Sequence, residues 1–267
     1  MVIERQLLVF TDLDGTLLDH NTYSFQAALP ALRRLKELEI PVILNSSKTR
    51  PEMESLKQQL DNHAPFIVEN GAAAIIPAGN LGKDTGLVVS FSAPLEEVLD
   101  VLNSLRAEGF QFRGFNDMEA AEIAKITGLP NMAAGRAKQR IGTEPLLWEG
   151  SDAELESFTQ RLNAQGLQLV KGGRFYHAMG QYDKADAMQY LAKRYQSFLP
   201  HKEIVTIALG DSPNDARMLE CADYAVIIKG VNSDKLDIKG VGEVMRSEGE
   251  GPVGWNECVQ SLLKRLL

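Results

Sequence analysis

The chain has 267 residues, a formal net charge of −8 and two cysteines, Cys221 and Cys258. The acidic balance disfavours nucleic acid and anionic membranes as partners, and two isolated cysteines make neither a disulfide framework nor a zinc spacing. No apolar run reaches membrane-spanning length, and no apolar signal core follows Met1-Val2-Ile3-Glu4-Arg5, so a soluble, cytoplasmic protein acting on a small ligand is expected.

The apolar run Leu7 to Phe10 predicts a short buried strand that ends at Asp12-Leu13-Asp14-Gly15-Thr16. In extended chain, residues i and i+2 point to one side, so Asp12 and Asp14 face one crevice and Gly15 permits a sharp turn. Two like charges this close raise one pKa unless a cation lies between them, so the pair implies bound metal or acid/base chemistry. Taken alone, the same residues would equally make a solvated strand-end turn.

His20 to Glu39 then reads as a helix, with Leu29, Leu32, Leu35 and Leu38 on one face and Pro30 early in it. Pro41 to Leu44 is a second strand, ending at Asn45-Ser46-Ser47-Lys48-Thr49, and Thr49-x-x-Glu52 is a capping box opening a helix from Pro51 to Leu60. Ser46, Ser47 and Lys48 thus lie between a strand carboxyl end and a helix amino end, where free N–H groups favour an anion. Phe66 to Val68 is a third strand leading to Glu69-Asn70-Gly71, and Ala72 to Ile76 continues as a strand or hairpin. The turn-forming stretch Pro77 to Gly86 is a candidate domain boundary.

Beyond it the pattern predicts a strand over Leu87 to Phe91, a helix over Pro94 to Glu108 and a strand over Phe110 to Phe115. One or two helices span Glu119 to Lys138, broken at Gly128-Leu129-Pro130; Leu146 to Trp148 is a strand, and Ser151-x-x-Glu154 caps a helix ending at Gly166. Leu167 to Val170 and Phe175 to Met179 form a hairpin around Gly172-Gly173. Leu105-x-Ala107-x-Gly109-x-Gln111 is echoed by Leu162-x-Ala164-x-Gly166-x-Gln168, which suggests two βαβ-like units side by side. Asp183 N-caps a helix running to Gln196, and Ile204 to Leu209 is an apolar strand ending at Gly210-Asp211-Ser212-Pro213-Asn214-Asp215, with a helix through Leu219. Tyr224 to Ile228 is a further strand, and a closing helix runs from Gly254. The expected fold is α/β: a Rossmann-like parallel-sheet core over 1–82 and 181–267, with an inserted α/β cap over 83–180.

In such a sheet, ligands gather outside the strand carboxyl ends. Asp12 with Asp14, Ser46 with Lys48, Lys184, and Asp211 with Asn214 and Asp215 all fall there. Carboxylates from two loops suit Mg²⁺, which takes few protein carboxylates together with water and substrate phosphate.

In this order, Asp12-Leu13-Asp14-Gly15-Thr16, Ser46, Lys184 and Gly210-Asp211-Ser212-Pro213-Asn214-Asp215 resemble the four motifs of the haloacid dehalogenase superfamily of phosphatases. The insertion resembles the α/β cap of its sugar-phosphatase branch. More narrowly, Ser46-Ser47-Lys48-Thr49, Glu69-Asn70-Gly71, Gly173-Arg174-Phe175-Tyr176-His177 and Glu250-Gly251-Pro252-x-Gly254-Trp255 are similar to the mannosyl-3-phosphoglycerate phosphatase branch. The resemblance implies a Mg²⁺-dependent phosphomonoester hydrolase that releases mannosylglycerate and phosphate from mannosyl-3-phosphoglycerate. It implies Asp12 as nucleophile, Asp14 as acid/base, and metal on Asp12, the Asp14 backbone carbonyl and Asp211. Phosphate falls to Ser46, Ser47 and Lys184, with Asn214 and Asp215 in support.

In the cap, Arg174, His177, Arg140 and Lys171 are candidates for a substrate carboxylate or sugar hydroxyls, Arg being suited by its two-pronged donor geometry. Two departures stand out. Ala185 follows Lys184 where glycine is common, and Arg140-Ile141-Gly142-Thr143-Glu144-Pro145 lacks the branch's central acidic-aromatic pair, which leaves sugar preference undetermined. Rival readings are a phosphatase of another sugar or polyol phosphate, a sugar phosphomutase, and a phospho-accepting receiver module. Oligomeric state is not legible.

Overall fold

The computed structural model describes residues 4–172, 174–240 and 242–267, so the opening Met1-Val2-Ile3 and Gly173 of the expected hairpin lie outside the described residues. In chain order the first half contains β1 (Glu4–Thr11), α1 (Leu29–Glu37), β2 (Val42–Leu44), α2 (Arg50–Gln59), β3 (Phe66–Val68), β4 (Ala73–Ile76), β5 (Leu87–Ser90), α3 (Leu95–Ala107) and β6 (Phe112–Gly114). There follow α4 (Ala120–Thr127), α5 (Asn131–Ala137), β7 (Thr143–Trp148), α6 (Asp152–Ala164), β8 (Leu167–Lys171) and β9 (Tyr176–Gly180). The chain closes with α7 (Lys184–Phe198), β10 (Lys202–Gly210), α8 (Ala216–Glu220), β11 (Tyr224–Lys229), β12 (Glu243–Glu250) and α9 (Gly251–Leu266).

Short β-branched and apolar runs alternating with helices suit a parallel sheet covered on both faces, and the central sheet has the order β12-β11-β10-β1-β2, with every pair parallel. Alternation along β1 divides its side chains between two cores. Leu7 and Val9 join Leu44, Leu209 and Trp255 on the face covered by α1 and α9, whereas Leu8 and Phe10 join Ile43, Ala208, Met188 and Leu191 on the face covered by α7 and α8. A parallel bridge from Asn45 to Ile67 continues this sheet toward an antiparallel ladder of β3, β4 and β5. A separate antiparallel sheet, β6-β7-β9-β8, carries α3 and α6, with Phe112, Phe158 and Leu162 at its centre. No helix among the described residues is long and apolar enough to cross a membrane.

Four sequence expectations are corrected. The helix read over His20 to Glu39 begins only at Leu29. Asp19 Oδ1 accepts the Asn21 and Thr22 N–H groups and the Thr22 hydroxyl, so a side chain captures the backbone donors that a helix would need. Strand β5, expected in the inserted domain, pairs with β4, and its Leu87 and the following Phe91 pack on the core face beside Met188. The echoed helix-to-strand turns do occur, at Gly109 and Gly166 with positive φ. They do not build two βαβ units: β7, α6 and β8 form one split unit with β9 between the strands, and every neighbour in that sheet is antiparallel. Finally β12 was unforeseen, because Glu-Val-Met-Arg-Ser-Glu-Gly-Glu carries the charges of an exposed edge strand instead of an apolar run.

Both predicted capping boxes hold. Thr49 and Ser151 each accept the N–H of the glutamate three residues on, and that glutamate's carboxylate returns the contact. At Glu69-Asn70-Gly71 three successive residues are left-handed, with φ of 50°, 56° and 100°. A Cβ on Gly71 would collide with the Asp183 carbonyl. Only glycine lets this loop press on the start of α7. Gly71→Ala is therefore expected to destabilise the protein by about 2 kcal/mol or more. Gly135→Ala, in α5 with open space around it, should be neutral or stabilising; urea denaturation of both variants checks the contrast.

Glu144 on β7 is 2% exposed, and its Oε1 accepts the Asn116 N–H at 2.6 Å. Burial pushes its carboxyl up from 4.5 to about 7, against the opposing pull of that hydrogen bond and of Arg140. The folded protein thus holds this proton more tightly than the unfolded chain, so the contribution is full below about pH 4.5 and is lost as pH rises through about 7. Glu144→Gln should remove on the order of 3 kcal/mol of this pH dependence between pH 4 and 8. Unfolding curves of parent and variant that keep a constant separation across that range would contradict this.

Candidate active site

The site starts from the parallel pairing of β1 with β10. The register carries Thr11 opposite Leu209, and the Asp12 N–H extends it by donating to the Leu209 carbonyl at 2.9 Å. Asp12 and Asp211 consequently leave adjacent strands side by side. Gly15 turns the chain at φ 86°, where a Cβ would lie 2.7 Å from Asp211 Oδ2, and the Thr16 hydroxyl donates to Asp211 Oδ1 at 3.2 Å. From beneath, Trp255 Nε1 donates to Thr11 Oγ1 at 3.0 Å, and that hydroxyl donates to the Asp12 carbonyl at 2.8 Å.

Lys184 enters from the first residue of α7, whose start is fixed by Asp183 accepting the Ala185 and Asp186 N–H groups. The Asn45 amide also donates to the Lys184 carbonyl at 3.0 Å. The Lys184 ammonium is buried and donates to Asp12 Oδ1 at 2.5 Å and Asp215 Oδ1 at 2.7 Å. Asp215, wholly buried, uses its other oxygen to accept the Asp211 and Ser212 N–H groups, each at 3.2 Å. It therefore orients Lys184 and caps its own loop at once. Asn214 Oδ1 accepts from the Ser212 hydroxyl at 2.6 Å.

Asp12, Asp211 and Asp215 place carboxylate oxygens within 4.8 Å of one another. Burial raises the Asp12 carboxyl pKa, with Asp215 and Asp211 adding to the rise and Lys184 opposing it; burial and Asp215 raise Asp211 likewise. With all three ionised, the carboxylates against one ammonium carry two uncompensated negative charges. This donor set of hard oxygens, short by two positive charges, fits a divalent cation of the Mg²⁺ type. The Asp14 side chain is not part of the cluster. Its Oδ2 accepts from the Lys48 ammonium at 2.8 Å, whereas its buried Oδ1 has no hydrogen-bond partner among the described residues.

Ser46 is buried just below, with its hydroxyl accepting the Lys48 N–H at 3.3 Å and its own N–H bound to Ile67. Ser47 is on the wall of a cavity of about 590 Å³ that opens over Asp12 and Asp14. The far wall comes from the second sheet and its loops and includes Arg140, Lys171, Arg174 and His177. Arg140 donates to the Ser47 carbonyl at 3.3 Å, while its buried Nε has no partner among the described residues. Arg174 donates to the Thr127 carbonyl at 2.8 Å and to the Tyr23 hydroxyl at 3.4 Å. His177 is buried, and its imidazole pKa is pushed down to about 3, first by burial and then by the charges of Arg140 and Lys184; it is neutral at ordinary pH, with Nδ1 unpartnered among the described residues. Lys171 lies over the Tyr176 ring at 5.3 Å.

Tyr23 and Phe115 also line this cavity and carried no sequence signal. Tyr23 was hidden in a stretch read as helix; its positive φ of 56° aims it at Lys48 and Arg174 instead. Lys48 was visible as a cation near a helix start, but its pairing with Asp14 was not. Burial works against the Lys48 charge, yet Asp14 and Glu52 outweigh it and raise the ammonium pKa.

The model of the haloacid dehalogenase-like hydrolase family matches residues 9–133 and 146–235. The chain is 39% identical over 265 residues to a glucosyl-3-phosphoglycerate/mannosyl-3-phosphoglycerate phosphatase of Methanococcoides burtonii, covering 96% of this chain and 97% of that protein. Among solved structures, Thermoplasma acidophilum 0175 superimposes with a TM-score of 0.70 at 18% identity, covering 97% of this chain and 99% of the other. The sucrose-phosphatase of Synechocystis sp. PCC6803, solved with sucrose and phosphate, gives 0.64 at 16% identity, covering 96% and 98%. These last two support the fold alone. An aspartate cluster at the ends of parallel strands, a buried lysine and an inserted sheet thus coincide with the family match, and the chain belongs to the haloacid dehalogenase-like hydrolases, as a phosphoric monoester hydrolase.

Proposed function

We propose that this phosphatase hydrolyses a glycosyl-3-phosphoglycerate, mannosyl-3-phosphoglycerate foremost, to the glycosylglycerate and phosphate. The observation that carries the reading is the buried Lys184 ammonium joining Asp215 to Asp12, the latter lining a cavity whose far wall is basic. Such a substrate brings a phosphate for the floor, a carboxylate for Arg140, Arg174 or Lys171, and sugar hydroxyls for neutral His177. The curated relative bears that activity in its name.

In the mechanism, the free oxygen of Asp12 attacks phosphorus in line, the phosphorus–oxygen bond to the glycerate carbon skeleton breaks, and an aspartyl-phosphate forms. Asp14 gives a proton to the departing alkoxide through Oδ1 and later takes one from the attacking water. Ser46, Ser47 and Lys184 hold the remaining phosphate oxygens, and Asn214 and Asp215 keep Lys184 and its loop in place. Asp12, the Asp14 carbonyl and Asp211 would hold Mg²⁺, which when bound supplies charge neutralisation between nucleophile and phosphate. The notional core of 1–82 and 181–267 is extended to include β5, which pairs with β4, so the catalytic core runs over 1–91 and 181–267 and the insertion between them is the cap. Closing the cap would exclude water from the phosphate.

Phosphate release from mannosyl- and glucosyl-3-phosphoglycerate and from simple hexose phosphates, with Mg²⁺ and with EDTA, tests this. A Mg²⁺-dependent preference for the glycosyl-phosphoglycerates is expected, with Asp12→Asn lowering kcat by about a thousand-fold or more. Preference for hexose phosphates would reject the substrate. Activity surviving in Asp12→Asn would reject the nucleophile.

A further inference from the structure

Glu69 is wholly buried at the carboxyl end of β3, in the left-handed loop described above. Its carboxylate accepts no bond from its own sheet. Oε1 accepts the Ile141 N–H at 2.9 Å; Oε2 accepts the Gly142 N–H at 3.2 Å, the Thr143 N–H at 3.1 Å and the Thr143 hydroxyl at 2.8 Å. Four donors from one three-residue segment of the insertion thus converge on a single core carboxylate. Tyr182 donates to the Gly142 carbonyl at 3.0 Å and closes the other side of that segment.

The segment leads directly to the cavity. Arg140 immediately precedes it, and the Arg140 guanidinium donates to Thr143 Oγ1 at 2.7 Å. The Thr143 hydroxyl therefore has its proton committed to Glu69 and its lone pair to Arg140. This relay fixes which edge of the guanidinium is spent and leaves the buried Nε without a partner among the described residues, beside the cavity. A buried donor without an acceptor costs free energy unless something arrives to accept from it.

We propose that Glu69 is a positioning residue that acts through Thr143 to aim Arg140 at an anionic group of the substrate other than the phosphate. The group that Arg140 meets is a carboxylate, an inference that rests on the proposed glycosyl-3-phosphoglycerate substrate. Glu69 itself touches neither substrate nor reacting atoms. It sets specificity from the core side of the interface by making the acid-binding arginine of the insertion answer to a carboxylate of the catalytic unit.

The test compares parent, Thr143→Val, Thr143→Ser and Glu69→Gln by steady-state kinetics on mannosyl-3-phosphoglycerate and on p-nitrophenyl phosphate, which has no carboxylate. Hydrogen exchange at Ile141, Gly142 and Thr143 is measured alongside. Thr143→Val keeps the backbone bonds to Glu69 and removes only the hydroxyl relay. Its preference, the ratio of kcat/KM for the acid-bearing substrate to that for the simple ester, should fall by about ten-fold, mainly through KM, and Thr143→Ser should restore it. Glu69→Gln cannot accept from all four donors, so exchange at the three amides should quicken and the same ratio should fall about ten- to a hundred-fold. A ratio unchanged in Thr143→Val, or lost equally in Thr143→Ser, would overturn the relay, and unchanged exchange in Glu69→Gln would overturn the anchoring. Should the parent show no preference for the acid-bearing substrate, the substrate assignment fails, and the exchange data still decide whether Glu69 holds the segment.

Discussion

One buried ammonium between two carboxylates organises this protein. Lys184 is 1% exposed, and an unpaired cation at that depth would cost several kcal/mol. Asp12 and Asp215 remove the penalty only if three separate segments meet: the end of β1, the start of α7 and the loop after β10. The parallel register of β1 with β10 and the pressing of the Glu69 to Gly71 loop on the start of α7 bring those segments together. The compensation is deliberately incomplete in charge, since Asp211 joins the cluster without a cation of its own. Stability and chemistry are thus in tension at one point, as is common where function is built.

The same point governs the larger architecture. Polar bonds reach from the core to the insertion around the cavity, among them Glu69 to the 141–143 segment, the Thr49 hydroxyl to the Arg136 carbonyl at 2.9 Å, Arg140 to the Ser47 carbonyl, and Arg174 to the Tyr23 hydroxyl. Ala72, Met179 and Tyr182 form an apolar cluster where the two meet, with Phe91 and Val170 packed beside it.

Much of this was legible in the chain itself. The apolar strands announced themselves because a sheet covered on both faces demands continuous hydrophobic runs, and the helix starts at Thr49, Ser151 and Asp183 because capping is local chemistry. The core site residues could be named because each stands at the end of such a strand or at such a helix start. What escaped was non-local or charged. Asp19 undid an otherwise regular helical pattern by hydrogen bonds that leave no periodic trace. Strand β12 is an edge built from charge, and β5 changed sides because pairing partners are not encoded by alternation. Glu69 stood in a recognised motif, yet its partners lie more than seventy residues away, and no spacing rule reaches that far.

The central proposal is that Asp12, the Asp14 carbonyl and Asp211, beside the ion pair of Lys184 with Asp215, make a divalent-cation site at the strand ends. Isothermal titration of Mg²⁺ into the metal-free protein tests it most directly. One ion per chain should bind to the parent, and Asp211→Asn, which keeps the shape and removes one negative charge, should weaken binding by about ten-fold or more. Equal affinity in parent and Asp211→Asn, or no binding to the parent at millimolar Mg²⁺, would contradict the account.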